Sequence, residues 1–204
     1  MHPACSSACV GLADSACVGL ADSAAGGYGQ PACSQPQPAN GVPVPNSRQS
    51  WDEYFLALAA QAATRSNCSR RKVGAVIVQG RHIRSTGYNG PPAGYGHCDA
   101  GACPRALTES VANFGYDNCV AIHAEANALL FADHGDRDGS TLYSSAAPCF
   151  SCAKLIANSG ITEVVAAGGR YEGWEATRRF LQDCKVRVRV LDGLEHAVPL
   201  PLRS

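Results

Sequence analysis

Residues 119–130, CVAIHAEANALL, and residues 140–152, STLYSSAAPCFSC, decide how this chain is read. The first segment is rich in Ala and Leu and predicts a helix opening at His123; the second predicts a short strand running through Pro148 into another helix. Cys149 and Cys152 stand three apart at the start of that helix, so both thiols face the same way. The positive end of the helix favours their thiolate forms. With His123 they make three ligands of the kind zinc takes, and the fourth tetrahedral position stays open to water, which is a catalytic rather than a structural arrangement. Glu125, two residues past His123, projects from the same first turn beside the metal without joining its ligands.

That carboxylate gives the site its chemistry. Zinc lowers the pKa of a water it holds toward about 7, so Glu125 can accept a proton at neutral pH and deliver protons to a ring nitrogen and a departing amine. His-x-Glu ahead of Pro-Cys-x-x-Cys is the pattern of hydrolytic deamination at an sp² carbon, which yields a carbonyl compound and ammonia. A structural zinc knot or a buried Cys pair would account for a CxxC alone, but it leaves Glu125 without a task.

Outward from this centre, Ser50 and Glu53 form a capping box, and Trp51, Phe55, Leu58 and Ala62 recur at helical spacing. They predict a helix to about Arg65 with one buried face. Residues 73–78 (VGAVIV), a Gln79-Gly80-Arg81 turn and residues 82–89 (HIRSTGYN) predict a hairpin that ends at GPPAG. Past Cys152 come a helix ended by Gly160, a strand at TEVVAAG, a helix over residues 174–182 and a strand at VRVRVL. Strands alternating with helices after an opening hairpin predict the α/β class, a three-layer α/β/α fold around a mixed sheet of about five strands.

Residues 90–118 are a long stretch of scattered Gly, Pro, Asp and Cys without periodicity, and a loop of that length is usually functional or held by something. Four cysteines are placed to hold it: Cys68 before the first strand, Cys98 and Cys103 within the loop, and Cys119 four residues before His123. The hairpin returns the chain to its start and the loop must come back to His123, so these thiols are expected to converge on a second, structural zinc, with His97 as an alternative donor. Small buried or merely reduced cysteines are the other reading, and the one that suits Cys184.

HAEANALL at His123, PCFSCAKLIANSGI at Pro148, VGAVIV at Val73 and TGYNG at Thr86 together resemble the deoxycytidylate deaminase branch of the cytidine deaminase superfamily, over about residues 50–191. The resemblance implies the cytidine-deaminase-like fold, conversion of dCMP and water to dUMP and ammonia as a supply for thymidylate synthesis, and a homo-oligomer, often a hexamer. By position it makes His123, Cys149 and Cys152 the zinc ligands and Glu125 the acid/base residue, and it brings Asn89 to the nucleotide sugar or base. Tyr171 and Arg170 are candidates to lie against the pyrimidine and to meet a phosphate, with plain surface placement as the alternative. Arg70 and Arg71, in a basic cluster with Lys72, are further phosphate candidates, although such a run is usually a solvated face. Residues 97–119 follow the family only in holding cysteines.

Residues 1–49 form a low-complexity tail: up to Arg48 the charged groups are Asp14, Asp22 and Arg48, and SACVGLAD occurs twice in tandem, too short a repeat for a solenoid. A domain is expected over 50–194 and a short C-terminal tail over 195–204. Lys plus Arg and Asp plus Glu both number 17, so no global field draws a long nucleic acid, and a small nucleotide is the expected partner. Polynucleotide editing would need basic and aromatic surface, for which Arg178, Arg179, Arg187 and Arg189 offer only a local patch. Several of the eleven cysteines sit at metal-ligand spacings and no secretory signal precedes them, which fits a reducing cytoplasm, and no apolar run is long enough for a membrane span. Another nucleoside, nucleotide or base as substrate, or a catalytically silent zinc-binding partner subunit, are the competing functions.

Overall fold

The computed structural model describes residues 48–107, 119–168 and 170–193. The expected C-terminal tail, and the expected N-terminal tail up to residue 47, lie outside them. Helix α1 (Trp51–Ala63) starts at the anticipated capping box: Ser50 Oγ accepts from the Glu53 amide at 3.2 Å, and the Ser50 amide donates to Glu53 Oε2 at 2.7 Å. Its buried face differs from the expected one. Phe55, Leu56, Ala59, Ala60 and Ala63 are buried, whereas Trp51 is 46% exposed. The reason is Gly74, where a β-carbon would strike the backbone of Ala59 and Ala63, so small residues rather than the leading Trp form the contact.

Strands β1 (Gly74–Gln79) and β2 (His82–Tyr88) make an antiparallel hairpin. Gly80 and Arg81, at φ 55° and 67°, form its two-residue turn, as the right-handed strand twist demands. After the 3₁₀ turn Pro104–Leu107 and the helices α2 (Ala124–Leu130) and α3 (His134–Arg137) come β3 (Thr141–Ser144), α4 (Phe150–Ala157), β4 (Glu163–Ala166), α5 (Trp174–Asp183) and β5 (Arg187–Val190). The sheet runs β2-β1-β3-β4-β5, antiparallel across its first two ladders and parallel across the last two. Each parallel pair is joined by a crossover helix, α4 or α5, as such a pair requires.

Strand alternation sends alternate side chains into two cores. Val76, Val78, Tyr143 and Val165 pack under α1 with Phe55 and Leu56; Ala75, Ile77, Leu142 and Val164 pack on the other face with α2, α4 and α5 through Ala128, Ile156 and Leu181. The expected three layers and five-stranded mixed sheet are therefore present. The two helices with the central motifs lie side by side on one face. Among the described residues no helix is long and apolar enough to cross a membrane.

Candidate active site and metal centre

Helix α2 is held against β2 at short range. A β-carbon on Gly87 would collide with the Ala124 carbonyl and the Ala128 amide, so only glycine admits the helix there. Ser85 Oγ donates to the Ala128 carbonyl and Asn127 Nδ2 to the Tyr88 carbonyl, each at 2.8 Å. Immediately upstream, Gly90 and Ile122 exchange both backbone hydrogen bonds, 3.1 and 2.8 Å long, which fixes the approach to His123. His123 is the N-cap of α2 and Cys149 the N-cap of α4, so both present their side chains at helix N-termini on one side of the sheet.

His123 Nδ1 lies 3.4 Å from Cys149 Sγ and 3.4 Å from Cys152 Sγ. Among the described residues this is the group of three metal-ligating side chains whose donor atoms all lie within 4.8 Å of one another. A tetrahedral zinc with legs of about 2.3 Å to sulfur and about 2.0 Å to nitrogen subtends a sulfur–nitrogen edge of about 3.5 Å, so the three residues fit the ion. Their protonation is already biased. Hydrogen bonding from Cys152, then from His123, pulls the Cys149 thiol down to about 4 against its burial. Cys152 is pushed up, first by its bond to Cys149 and then by burial, and His123 is raised by its bond to Cys149. The thiolate form of Cys149 is the form that binds a metal.

Glu125 sits under this trio, 3% exposed, with Cys152 Sγ donating to its Oε2 at 3.6 Å. Burial raises its pKa. All of this opens onto a cavity of about 300 Å³ lined by His123, Glu125, Cys149 and, among others, Asn89, Tyr171 and Arg105.

The remaining candidates divide. Asn89 borders the cavity, and its side chain also ties the scaffold: Oδ1 accepts from the Val73 amide and Nδ2 donates to the Arg71 carbonyl, both at 2.8 Å. Tyr171 lines the cavity with its hydroxyl 2.6 Å from Thr177 Oγ1 and 3.3 Å from the Pro148 carbonyl. Arg70 and Arg71 are exposed at the rim. Arg170 is not part of the lining and makes a two-pronged ion pair with Asp192, at 2.7 and 2.9 Å. Cys68, Cys98, Cys103 and Cys119 all border the same cavity, with Cys98 and Cys103 buried and in hydrogen-bond contact. Burial and then the field of its three neighbours push the Cys98 thiol up to about 11. These four are not drawn together as tightly as the catalytic trio, and His97 is exposed. Arg105 escaped the sequence reading because nothing in the aperiodic loop marks it.

Residues 49–168 match the family model of the cytidine and deoxycytidylate deaminase zinc-binding region. The chain belongs to that family. It is 53% identical over 124 residues to the deoxycytidylate deaminase of Mycobacterium phage D29, covering 58% of this chain and 95% of the phage protein. The deoxycytidylate deaminase of Saccharomyces cerevisiae is 42% identical over 148 residues, covering 72% of this chain but only 46% of the yeast protein. Among solved structures, the dCMP deaminase from the cyanophage S-TIM5, in complex with dCMP and dUMP, is 28% identical, has a TM-score of 0.51, and is matched over 68% of this chain and 95% of its own. A zinc-dependent deaminase is thus the frame in which the donor trio and Glu125 are understood.

Proposed function

We propose that this protein deaminates dCMP to dUMP, with His123, Cys149 and Cys152 holding the zinc and Glu125 moving the protons. The observation that carries the reading is the buried carboxylate beside three zinc-spaced donors, and the names of the phage relative and of the cyanophage structure support dCMP as substrate. Zinc held by the trio would supply a water acidified to about neutrality. Glu125 takes a proton from the water as its oxygen adds to C4 of the pyrimidine and gives that proton to N3. It then takes the second proton from the new hydroxyl and delivers it to the amine; the C4–N4 bond breaks, and ammonia leaves with a C4 carbonyl behind it. A raised pKa suits a carboxyl that must carry the proton between these steps. Asn89 fixes the backbone of residues 71–73 along the cavity, and Tyr171, which lines it, is assigned to the pyrimidine.

Ammonia release from dCMP, CMP, deoxycytidine and guanine by the purified protein tests the substrate. dCMP is expected to be turned over most efficiently, and equal efficiency on deoxycytidine contradicts the nucleotide reading. A long nucleic acid is not the expected partner: of the four arginines nearest to forming a basic patch, Arg178 pairs with Glu175, Arg187 with Glu163, and Arg189 with both Asp52 and Glu163.

Two further parts of the proposal concern the rest of the molecule. Cys68, Cys98, Cys103 and Cys119 take a second, structural zinc, supported by their common cavity and mutual electrostatic contact. The chain assembles as a homo-oligomer, in keeping with the exposure of Leu130 (69%) and Phe131 (78%) at the end of α2. Sedimentation of the zinc-loaded protein measures its size.

A further inference from the structure

The metal site depends on the peptide that joins Pro148 to Cys149. Pro148 is fully buried, and Cys149, the N-cap of α4, has extended backbone at φ −74° and ψ 166°. A carbonyl ahead of the N-cap lies outside the helix's own hydrogen bonds, so a buried one needs a partner from elsewhere. Tyr171 supplies it: its hydroxyl lies 3.3 Å from the Pro148 carbonyl and 2.6 Å from Thr177 Oγ1. Burial raises the Tyr171 phenol, and the Thr177 hydroxyl and, more weakly, the Phe150 amide act against that rise, so contacts reach this oxygen from both sides of Cys149. Thr177 sits near the start of α5, 1% exposed, and does not line the cavity. With Trp174 and Leu181 it makes the buried stripe of that helix, at a spacing where an apolar side chain would serve packing equally well.

A phenol has one proton to give. When Tyr171 donates it to the Pro148 carbonyl, its oxygen is left to accept from Thr177, and the three groups form a chain from Thr177 through Tyr171 to Pro148. Holding that carbonyl fixes the plane of the peptide between Pro148 and Cys149, and with it the φ of Cys149 and the direction of its Sγ. The sulfur lies 3.4 Å from His123 Nδ1, so a swing of the plane alters an edge of the metal's coordination shell. We propose that Thr177 is a positioning residue for the metal centre, acting through Tyr171 on the Pro148 carbonyl to aim Cys149 at the zinc. This rests on His123, Cys149 and Cys152 holding that ion. It gives a buried hydroxyl on the packing stripe of α5 a task that a methyl group cannot perform.

The test follows the metal rather than the reaction. Wild type, Thr177→Val, Thr177→Ser and Tyr171→Phe are loaded with cobalt in place of zinc, and the thiolate-to-cobalt charge-transfer band is recorded. Zinc affinity is measured by competition with a chelating indicator, and Cys149→Ser marks the part of the band that belongs to this site. Thr177→Val keeps the shape of the side chain and is expected to shift that part of the band and weaken zinc binding by about 10-fold, as loss of an outer-shell partner does. Tyr171→Phe should do the same, and the double variant should be no worse than Tyr171→Phe, because both break one chain. Thr177→Ser, which restores the hydroxyl, should return band and affinity to wild type. An unchanged band and affinity in Thr177→Val and Tyr171→Phe overturn the proposal, and so does a Thr177→Ser as impaired as Thr177→Val, which assigns the threonine to packing. If Thr177→Val does not fold, Tyr171→Phe, at a half-buried position, decides in its place. If Cys149→Ser keeps the whole band and all its metal, the zinc reading of the trio fails first and takes this assignment with it.

Discussion

A β-carbon on Gly87 would fall on the carbonyl oxygen of Ala124, so strand β2 and helix α2 meet backbone to backbone one residue from the metal-ligating His123. Packing at the sheet and geometry at the metal are thereby one constraint. Gly87→Ala must push α2 away by its rigid backbone and is expected to destabilise the fold by about 1–3 kcal/mol, as overpacking does. It should also lower zinc content, because His123 moves with the helix. Urea unfolding and metal analysis of the variant check this; a variant with wild-type stability and full zinc would mean that β2 and α2 separate freely.

The edge of the sheet should show itself in acid. Asp52 on α1 accepts from two nitrogens of Arg189 on β5 and from the Tyr143 hydroxyl on β3, and the Arg189 bond foremost holds its carboxyl below the ordinary value of 3.8. A depressed folded-state pKa contributes stability that is fully present above the unfolded-state value and is lost as pH falls through the folded one. Asp52→Asn is therefore expected to cost about 1 kcal/mol at pH 7, the pair being partly exposed, and the difference from wild type should shrink steadily below about pH 4. Denaturation at a series of pH values measures it, and a penalty independent of pH would assign the effect to packing.

The thiol cluster predicts two zincs per chain, falling to one in the Cys98→Ser, Cys103→Ser double variant, together with a marked loss of thermal stability because structural metal binding is folding energy. Elemental analysis decides this. One zinc per fully active chain would leave these cysteines as reduced thiols on the cavity wall.

Much of the architecture was legible because local chemistry and tertiary structure agree. The Ser50–Glu53 box, the Gly80-Arg81 turn and the helix stop at Gly160, with φ 93°, each follow from residues only a few positions apart. The catalytic trio was legible for the same reason, since the cysteines share one helical turn and His123 caps another. What was not legible depends on long-range placement. The buried face of α1 follows from Gly74 rather than from the aromatic spacing. The four-residue helix α3 is too short for any period to appear. Arg170 meets Asp192 because β4 and β5 run parallel and end together, 22 residues apart in the chain. The amide of Asn89 spans Arg71 and Val73 across the hairpin's start while the residue borders the cavity, a pairing that its glycine-flanked turn did not announce.

The central claim is that Glu125 is the proton carrier of a zinc deaminase, and the most direct measurement compares dCMP turnover by wild type and by Glu125→Gln at matched zinc content. Glutamine keeps the size and polarity of the buried side chain while removing the titrating oxygen. The variant is expected to hold its zinc and its fold and to lose kcat by at least about 10²–10⁴-fold, the contribution of a positioned acid/base. Turnover of dCMP by Glu125→Gln at close to the wild-type rate would contradict the account.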